Sequence, residues 1–211
     1  MQYTAKQFTL PALDGISEKQ LTVHLALYGG YVAHVNLLQE QIRELETIGK
    51  EKYAYAITET RRRLGFEFSG MRMHECYFSQ WEGGATDEPR GGALASAVAE
   101  KYGSWEGFLE HFKTVGMSRG IGWSVLYADP HDKTMHTAWV TDHELGGLAG
   151  APIILAMDMW EHAFMVDYLP SEKKQYIEAF FKNLHWPLIE KRFADATYCP
   201  PRAATLKEHR A

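Results

Sequence analysis

The pentapeptide Asp158-Met-Trp-Glu-His162 sets a carboxylate and an imidazole four residues apart, with an indole and a second carboxylate between them. It stands where the apolar run Pro152–Asp158 gives way to polar residues, and strand ends that feed helices are where α/β architectures build sites. One turn of chain aims Asp158 and His162 at a single ion. The same pair also suits an aspartate capping a helix, with His162 in an ordinary polar contact. Upstream, His24 interrupts an apolar helical stripe between Val23 and Leu25, and His74 sits in Met71-Arg-Met-His-Glu-Cys. Each reads either as a hydrogen-bonded core imidazole or as a ligand. Three imidazoles and one hard carboxylate suit iron, manganese or zinc, and the lack of a thiolate set argues against a structural zinc. His34, His111, His131, His136, His185 and His209 fall on polar faces or in turns and read as solvated.

The elements that must bring these residues together can be read from periodicity. Ser17-Glu-Lys-Gln20 has the form of a capping box, so a helix is expected to start there. Leu21, His24, Tyr28, Tyr31, Val35, Leu38 and Ile42 then recur at three- and four-residue steps. Paired glycines weaken a helix by about 1 kcal/mol each, so Gly29-Gly30 predicts a kink or an irregular turn beside Tyr28 and Tyr31. A second helix follows Gly49 and runs through His74 to Phe78, completing an antiparallel hairpin. The Gly-rich stretch Trp81–Gly92 predicts a linker with a boundary near Asp87. Amphipathic stretches at 91–102 and 104–115 follow, the second capped by Ser104. Trp123–Ala128 and Thr134–Thr141 around Asp129-Pro-His-Asp-Lys read as a β-hairpin, Pro152–Asp158 as a buried strand, and helix resumes from Glu161 to about Ala194.

The expected class is therefore α+β: an N-terminal helical hairpin over residues 1–86, a C-terminal α/β domain with a small antiparallel sheet over 87–198, and a tail over 199–211. The 211 residues carry 22 Lys+Arg against 27 Asp+Glu, a formal charge of −5, and 45% hydrophobic residues. This composition excludes a disordered chain and a broad basic surface for nucleic acid. Cys76 and Cys199 cannot build a disulfide framework, and no apolar run reaches the roughly 18 residues of a membrane span. The N-terminal residues lack a secretory layout. A cytoplasmic location is the expectation.

The run Asp158-x-Trp-Glu-His-Ala-Phe resembles the signature of the iron/manganese superoxide dismutases, and the resemblance extends along nearly the whole chain. It includes Phe8-Thr-Leu-Pro-Ala-Leu13, Gly120-Ile-Gly-Trp123, Tyr176–Asn183, Trp186 and Arg192-Phe193. It implies a two-domain fold whose sheet has three antiparallel strands. It also implies one iron or manganese ion per subunit, bound by His24, His74, Asp158, His162 and a solvent molecule. The implied reaction disproportionates superoxide to oxygen and hydrogen peroxide as the metal alternates between its trivalent and divalent states. The resemblance makes His143 the partner of the metal-bound solvent, in a place where many members have Gln; the alternative Gln position, four before His74, holds Gly70. It puts Trp123 and Trp160 in the pocket wall, and it makes Glu161 a bridge to the partner's metal ligand in a homodimer.

The chain departs from that pattern on the first helix. Members place a His four residues after the first metal ligand and a gateway Tyr eight after it; here those positions hold Tyr28 and Val32, and Tyr31 lies seven after His24. On a continuous helix both tyrosines share a face with His24, so Tyr31 and Tyr28 are the candidate catalytic phenols. Phe164 is followed by Met165 where the family has a second aromatic, which suggests that Tyr28 packs on Met165 of the other subunit. Lys173 or Lys174 stands in for the family's substrate-attracting Arg. Two other readings remain: a metal-binding relative with little dismutase activity and a structural or interaction role, and a zinc hydrolase with Glu161 as its base.

Overall fold

The computed structural model describes residues 2–197; Cys199 and the expected tail lie outside the described residues. Helices α1 (Glu18–Gly49) and α2 (Ala54–Ser79) form the hairpin. They are antiparallel: His24 meets His74, Tyr31 meets Phe66, and Glu46 meets Arg61, so numbers rise on one helix as they fall on the other. Ser17 caps α1 by accepting from the Gln20 backbone N–H at 3.0 Å. The expected irregular turn is absent, because α1 runs as helix without interruption through Gly29-Gly30. Tyr28, Val32 and Val35 on either side are buried, and that burial, worth about 1.5 kcal/mol or more for each large apolar side chain, offsets what two glycines cost.

Helices α3 (Gly92–Tyr102) and α4 (Trp105–Gly116) lead into β1 (Gly122–Ala128), β2 (Met135–Thr141) and β3 (Ile153–Asp158), an antiparallel sheet in the order β2-β1-β3. The chain is thus α+β, with the expected hairpin and small sheet. After β3 the expected helix is reduced to two 3-10 turns, Glu161–Ala163 and Pro170–Glu172, and regular helix returns only at α5 (Lys173–Lys182) and α6 (Trp186–Thr197). The Asp158 side chain holds the Trp160 backbone N–H, and the chain then folds on itself through Met165 N–H to the Glu161 carbonyl and Tyr168 N–H to the Phe164 carbonyl.

Two contacts lock the hairpin to the sheet. The Gln80 amide donates to the Ala156 carbonyl and accepts from the Ala156 N–H, each at 2.8 Å, so one side chain pairs the otherwise free edge of β3. Arg192 on α6 donates to the carbonyls of Cys76 and Ile154, to the Gln80 amide oxygen and to the Ser79 hydroxyl. Between them lies an aromatic core that includes Tyr77, Phe78, Trp81, Trp123, Tyr176 and Phe180, all nearly inaccessible to solvent. Gly122 sits at φ +154°, where an added Cβ would fall 2.2 Å from the Val140 carbonyl oxygen; only glycine lets β1 start this close to β2.

Candidate metal centre

Four side chains from four elements converge where the hairpin meets the sheet. His24 comes from α1, His74 from α2, Asp158 from the last position of β3 and His162 from the 3-10 turn that follows. The Nε2 atoms of His24 and His162 each lie 3.1 Å from Asp158 Oδ2, and His74 Nε2 lies 3.5 Å from it. One potential ligand atom from each of the four falls within 4.8 Å of all the others. Atoms bound to one ion at about 2.1 Å sit about 3.0 to 3.6 Å from their neighbours, so the spacing fits a single shared cation.

The protonation pattern points the same way. His74 Nδ1 lies 2.7 Å from the Gly70 carbonyl, which can only accept, so Nδ1 carries the proton and Nε2 presents its lone pair. That Nε2 has no hydrogen-bond partner although it is fully buried, and it faces a carboxylate oxygen. Two buried acceptors face to face repel each other, and a cation between them removes the conflict. Burial holds His24 and His74 below the ordinary imidazole range, which keeps their lone pairs available. Burial alone would raise the Asp158 carboxyl, but the His162 and His24 imidazoles, each with Nε2 3.1 Å from Oδ2, hold it well below the usual carboxylate range, so the cluster contains an anionic carboxylate. Outer bonds fix the set: Asp158 Oδ1 accepts from Trp160 N–H, and the Tyr176 hydroxyl donates to the Asp158 carbonyl at 2.7 Å while bonding Tyr77 at 2.9 Å.

His143 stands beside this cluster, its ring 6.0 Å from that of His74. Asp142, at φ +53°, turns the chain at the end of β2 and swings His143 inward. The Trp123 indole N–H donates to His143 Nδ1 at 2.9 Å, and His143 Nε2 lies 2.8 Å from the Tyr31 hydroxyl. An indole nitrogen only donates, so His143 is the neutral Nε2–H tautomer and donates to the Tyr31 oxygen. The Tyr31 proton is then free to point elsewhere, and burial pushes this phenol well above its ordinary range. Trp160 stacks on both His143 and His162, with centroids 5.1 and 5.5 Å apart. Trp123 meets His74 edge-on.

Gly70 completes the fit. A Cβ there would lie 2.8 Å from the Tyr31 ring and 3.2 Å from His143. The space that a longer side chain at position 70 would fill is thus taken by Tyr31 and His143.

Tyr28 behaves differently. It is 2% exposed, and its hydroxyl accepts from the Lys6 backbone N–H and donates to Glu75, turned away from the four-residue cluster. Buried in its own chain, it cannot pack on Met165 of another subunit, and that expectation is corrected. The lysines suggested for attracting substrate also lie elsewhere. Lys173 donates to the Ser118 carbonyl and lies over Trp139, and Lys174 lines a separate hollow with Glu106 and Glu178. His185 is not solvated as expected, since its Nδ1 is bonded to the Gly84 carbonyl.

What sequence reasoning missed is the opening above Tyr31. This hollow of about 330 Å³ is lined by residues that include His34, Arg63, Phe66, Glu67 and Trp160. The buried Glu67 carboxylate holds Arg63, whose guanidinium lies 3.9 Å over the Phe66 ring, and its other oxygen is 3.5 Å from His34. The available signal was position: Arg63, Phe66 and Glu67 lie two to three helical turns before His74 on the same helix. Glu161 is exposed, next to the exposed Met165 and Val166.

Residues 89–192 match the family model described as iron/manganese superoxide dismutases, C-terminal domain. Among curated proteins, the chain is 33% identical over 188 residues to "Superoxide dismutase [Fe]" of Cupriavidus metallidurans, covering 87% of this chain and 91% of that protein. It is 31% identical over 188 residues to the protein of the same name from Aquifex pyrophilus, covering 87% of each. It is 32% identical over 185 residues to "Superoxide dismutase [Mn] 1" of Halobacterium salinarum, covering 86% of this chain and 88% of that protein. Matches to iron- and manganese-named relatives that run nearly end to end join a buried three-histidine, one-aspartate cluster in establishing that the chain belongs to the iron/manganese superoxide dismutase family.

Proposed function

We propose that the protein disproportionates superoxide to oxygen and hydrogen peroxide at one iron or manganese ion per chain, held by His24, His74, Asp158 and His162. The observation that carries this reading is the buried lone pair of His74 Nε2 facing Asp158 Oδ2, an arrangement that a bound cation satisfies. A bound iron or manganese supplies a one-electron couple, so that one superoxide gives up an electron and becomes oxygen while a second takes it, with two protons, and becomes hydrogen peroxide.

The chain's own residues supply the rest. Trp123 fixes the tautomer of His143, and His143 fixes the Tyr31 oxygen, so Tyr31 keeps its proton on Oη at the inner end of the opening. That is where a reduced anion needs a donor. Trp123, Trp160 and Phe66 surround the group with apolar surface and keep bulk water out. Arg63 is the cation among the residues described as lining the opening, and it takes the attracting role for an incoming anion.

We take the chain to act as two domains, residues 1–86 and 87–198, that meet at the metal centre. We also take it to act as a homodimer. Exposed Glu161 beside Met165 and Val166 supports a pairing surface next to the site, with Glu161 reaching a ligand of the other copy. No helix among the described residues is long and apolar enough to cross a membrane. A cytoplasmic setting is the accompanying proposal. Pulse radiolysis of the purified protein, loaded separately with iron and with manganese, tests the activity: superoxide decay in proportion to bound metal supports it, and decay no faster than in buffer refutes it.

A further inference from the structure

Gln20 occupies the third position of α1, one helical turn before His24, and is 2% exposed. Its sequence context predicts a side chain folded back on its own helix start. Instead the amide reaches across to the segment that carries His162. Nε2 donates to the His162 carbonyl at 2.6 Å, and Oε1 accepts from the Val166 N–H at 3.0 Å. Only this orientation of the amide is chemically consistent, since a flipped group would set donor against donor and acceptor against acceptor. The two backbone groups it satisfies lie at either end of the turn that leaves the 3-10 helix, where the backbone has no helical partner to offer them.

These bonds close a ring. The His162 imidazole bonds Asp158 Oδ2, the same oxygen receives His24, and His24 returns to α1 one turn beyond Gln20. The separation of the two imidazoles is therefore fixed from both sides, through Asp158 within the cluster and through the Gln20 amide behind it. We propose that Gln20 is a positioning residue for the metal centre: it locks the His162 turn to the helix that carries His24 and so sets how tightly, and with what symmetry, the metal is held. The inference rests on the reading that the four-residue cluster binds iron or manganese. It touches no substrate and no ligand atom directly.

The test compares Gln20→Leu, which removes both bonds, and Gln20→Glu, which keeps the acceptor for Val166 but sets an oxygen against the His162 carbonyl. Thr86→Val serves as a control, because it removes a distant bond from the Trp186 N–H to the Thr86 hydroxyl. Far-ultraviolet circular dichroism checks folding, competition with a chelator measures metal retention, and electron paramagnetic resonance of the iron(III) form reports the symmetry of the site. Loss of an outer hydrogen bond to a metal ligand typically costs about ten- to a hundredfold in affinity. Both Gln20 variants are expected to weaken retention by that factor and to shift the iron(III) spectrum, with Thr86→Val leaving both unchanged. Should Gln20→Leu fail to fold, the near-isosteric Gln20→Glu decides. Wild-type retention and spectrum in a folded Gln20→Glu protein would overturn the proposal while leaving the site reading intact. Failure of the wild-type chain to take up iron or manganese would overturn the site reading and this inference with it.

Discussion

The indole nitrogen of Trp123 donates to Nδ1 of His143 at 2.9 Å, and this one bond decides what His143 can be. With Nδ1 committed as an acceptor, the ring is neutral and its only proton lies on Nε2, directed at Tyr31. Protonating His143 would set two N–H groups against each other, and burial penalises the charge further, which agrees with a pKa lowered from 6.5 to about 4.

In the metal-free protein this lowered value has a measurable consequence. Between pH 6.5 and about 4 the unfolded chain binds a proton at this residue that the folded chain refuses. The stability contributed by neutral His143 is therefore complete above pH 6.5 and is lost as the pH falls toward 4, a change of about 3 kcal/mol. Lowered values at His24 and His74 act in the same sense, so the comparison is wild type against His143→Gln. The stability difference between them should shrink by about that amount across the window in urea titrations. Trp123→Phe should raise the His143 midpoint seen by NMR; a wild-type midpoint near 6.5 would contradict the tautomer assignment.

Gly70 is the steric condition for the Tyr31–His143 pair. Gly70→Ala places a methyl 2.8 Å from the Tyr31 ring. Since overpacking costs about 1 to 3 kcal/mol, a matching loss in thermal or denaturant stability is expected, together with a displaced Tyr31 in a crystal structure. An unshifted Tyr31 and unchanged stability would show that the site has slack that the geometry denies.

The two tyrosines of α1 should separate cleanly. Tyr31→Phe removes the proton held at the inner end of the opening, and kcat should fall by about a hundredfold, with metal content unchanged. Tyr28→Phe removes a hydroxyl bonded to Lys6 and Glu75, and should cost about 1 kcal/mol of stability while leaving kcat within about twofold. The reverse pattern in stopped-flow superoxide assays would reassign the proton donor.

Arg63→Glu reverses the charge at the opening and should lower kcat/KM several-fold at low ionic strength, with the deficit closing as salt rises toward about 0.15 M and above. Lys173→Glu should have little effect, because Lys173 lies against Ser118 and Trp139. Equal losses from the two variants would place the attracting charge elsewhere.

What the sequence made legible was what short spacing encodes. Asp158 and His162 are four residues apart, Ser17 caps its own helix, and the hairpin and strands follow from three- to four-residue and two-residue periods. What it hid depends on residues far along the chain. The Gln20 amide looks like half of a capping box until the 162–166 turn, more than 140 positions away, offers better partners. Gly29-Gly30 reads as a break because local propensity cannot register the burial of Tyr28 and Val32 against the rest of the fold. Arg63 escaped notice for the same reason, since its importance comes from Tyr31 and Trp160 arriving from other elements.

The central claim is that His24, His74, Asp158 and His162 hold one redox-active ion that turns over superoxide. The most direct measurement is metal analysis and superoxide decay on the same samples of wild type and Asp158→Asn, each loaded with iron and with manganese. The account predicts about one ion per wild-type chain with fast decay for at least one metal, and loss of both in the variant. Full iron or manganese occupancy without superoxide decay, or wild-type decay retained by Asp158→Asn, would contradict it.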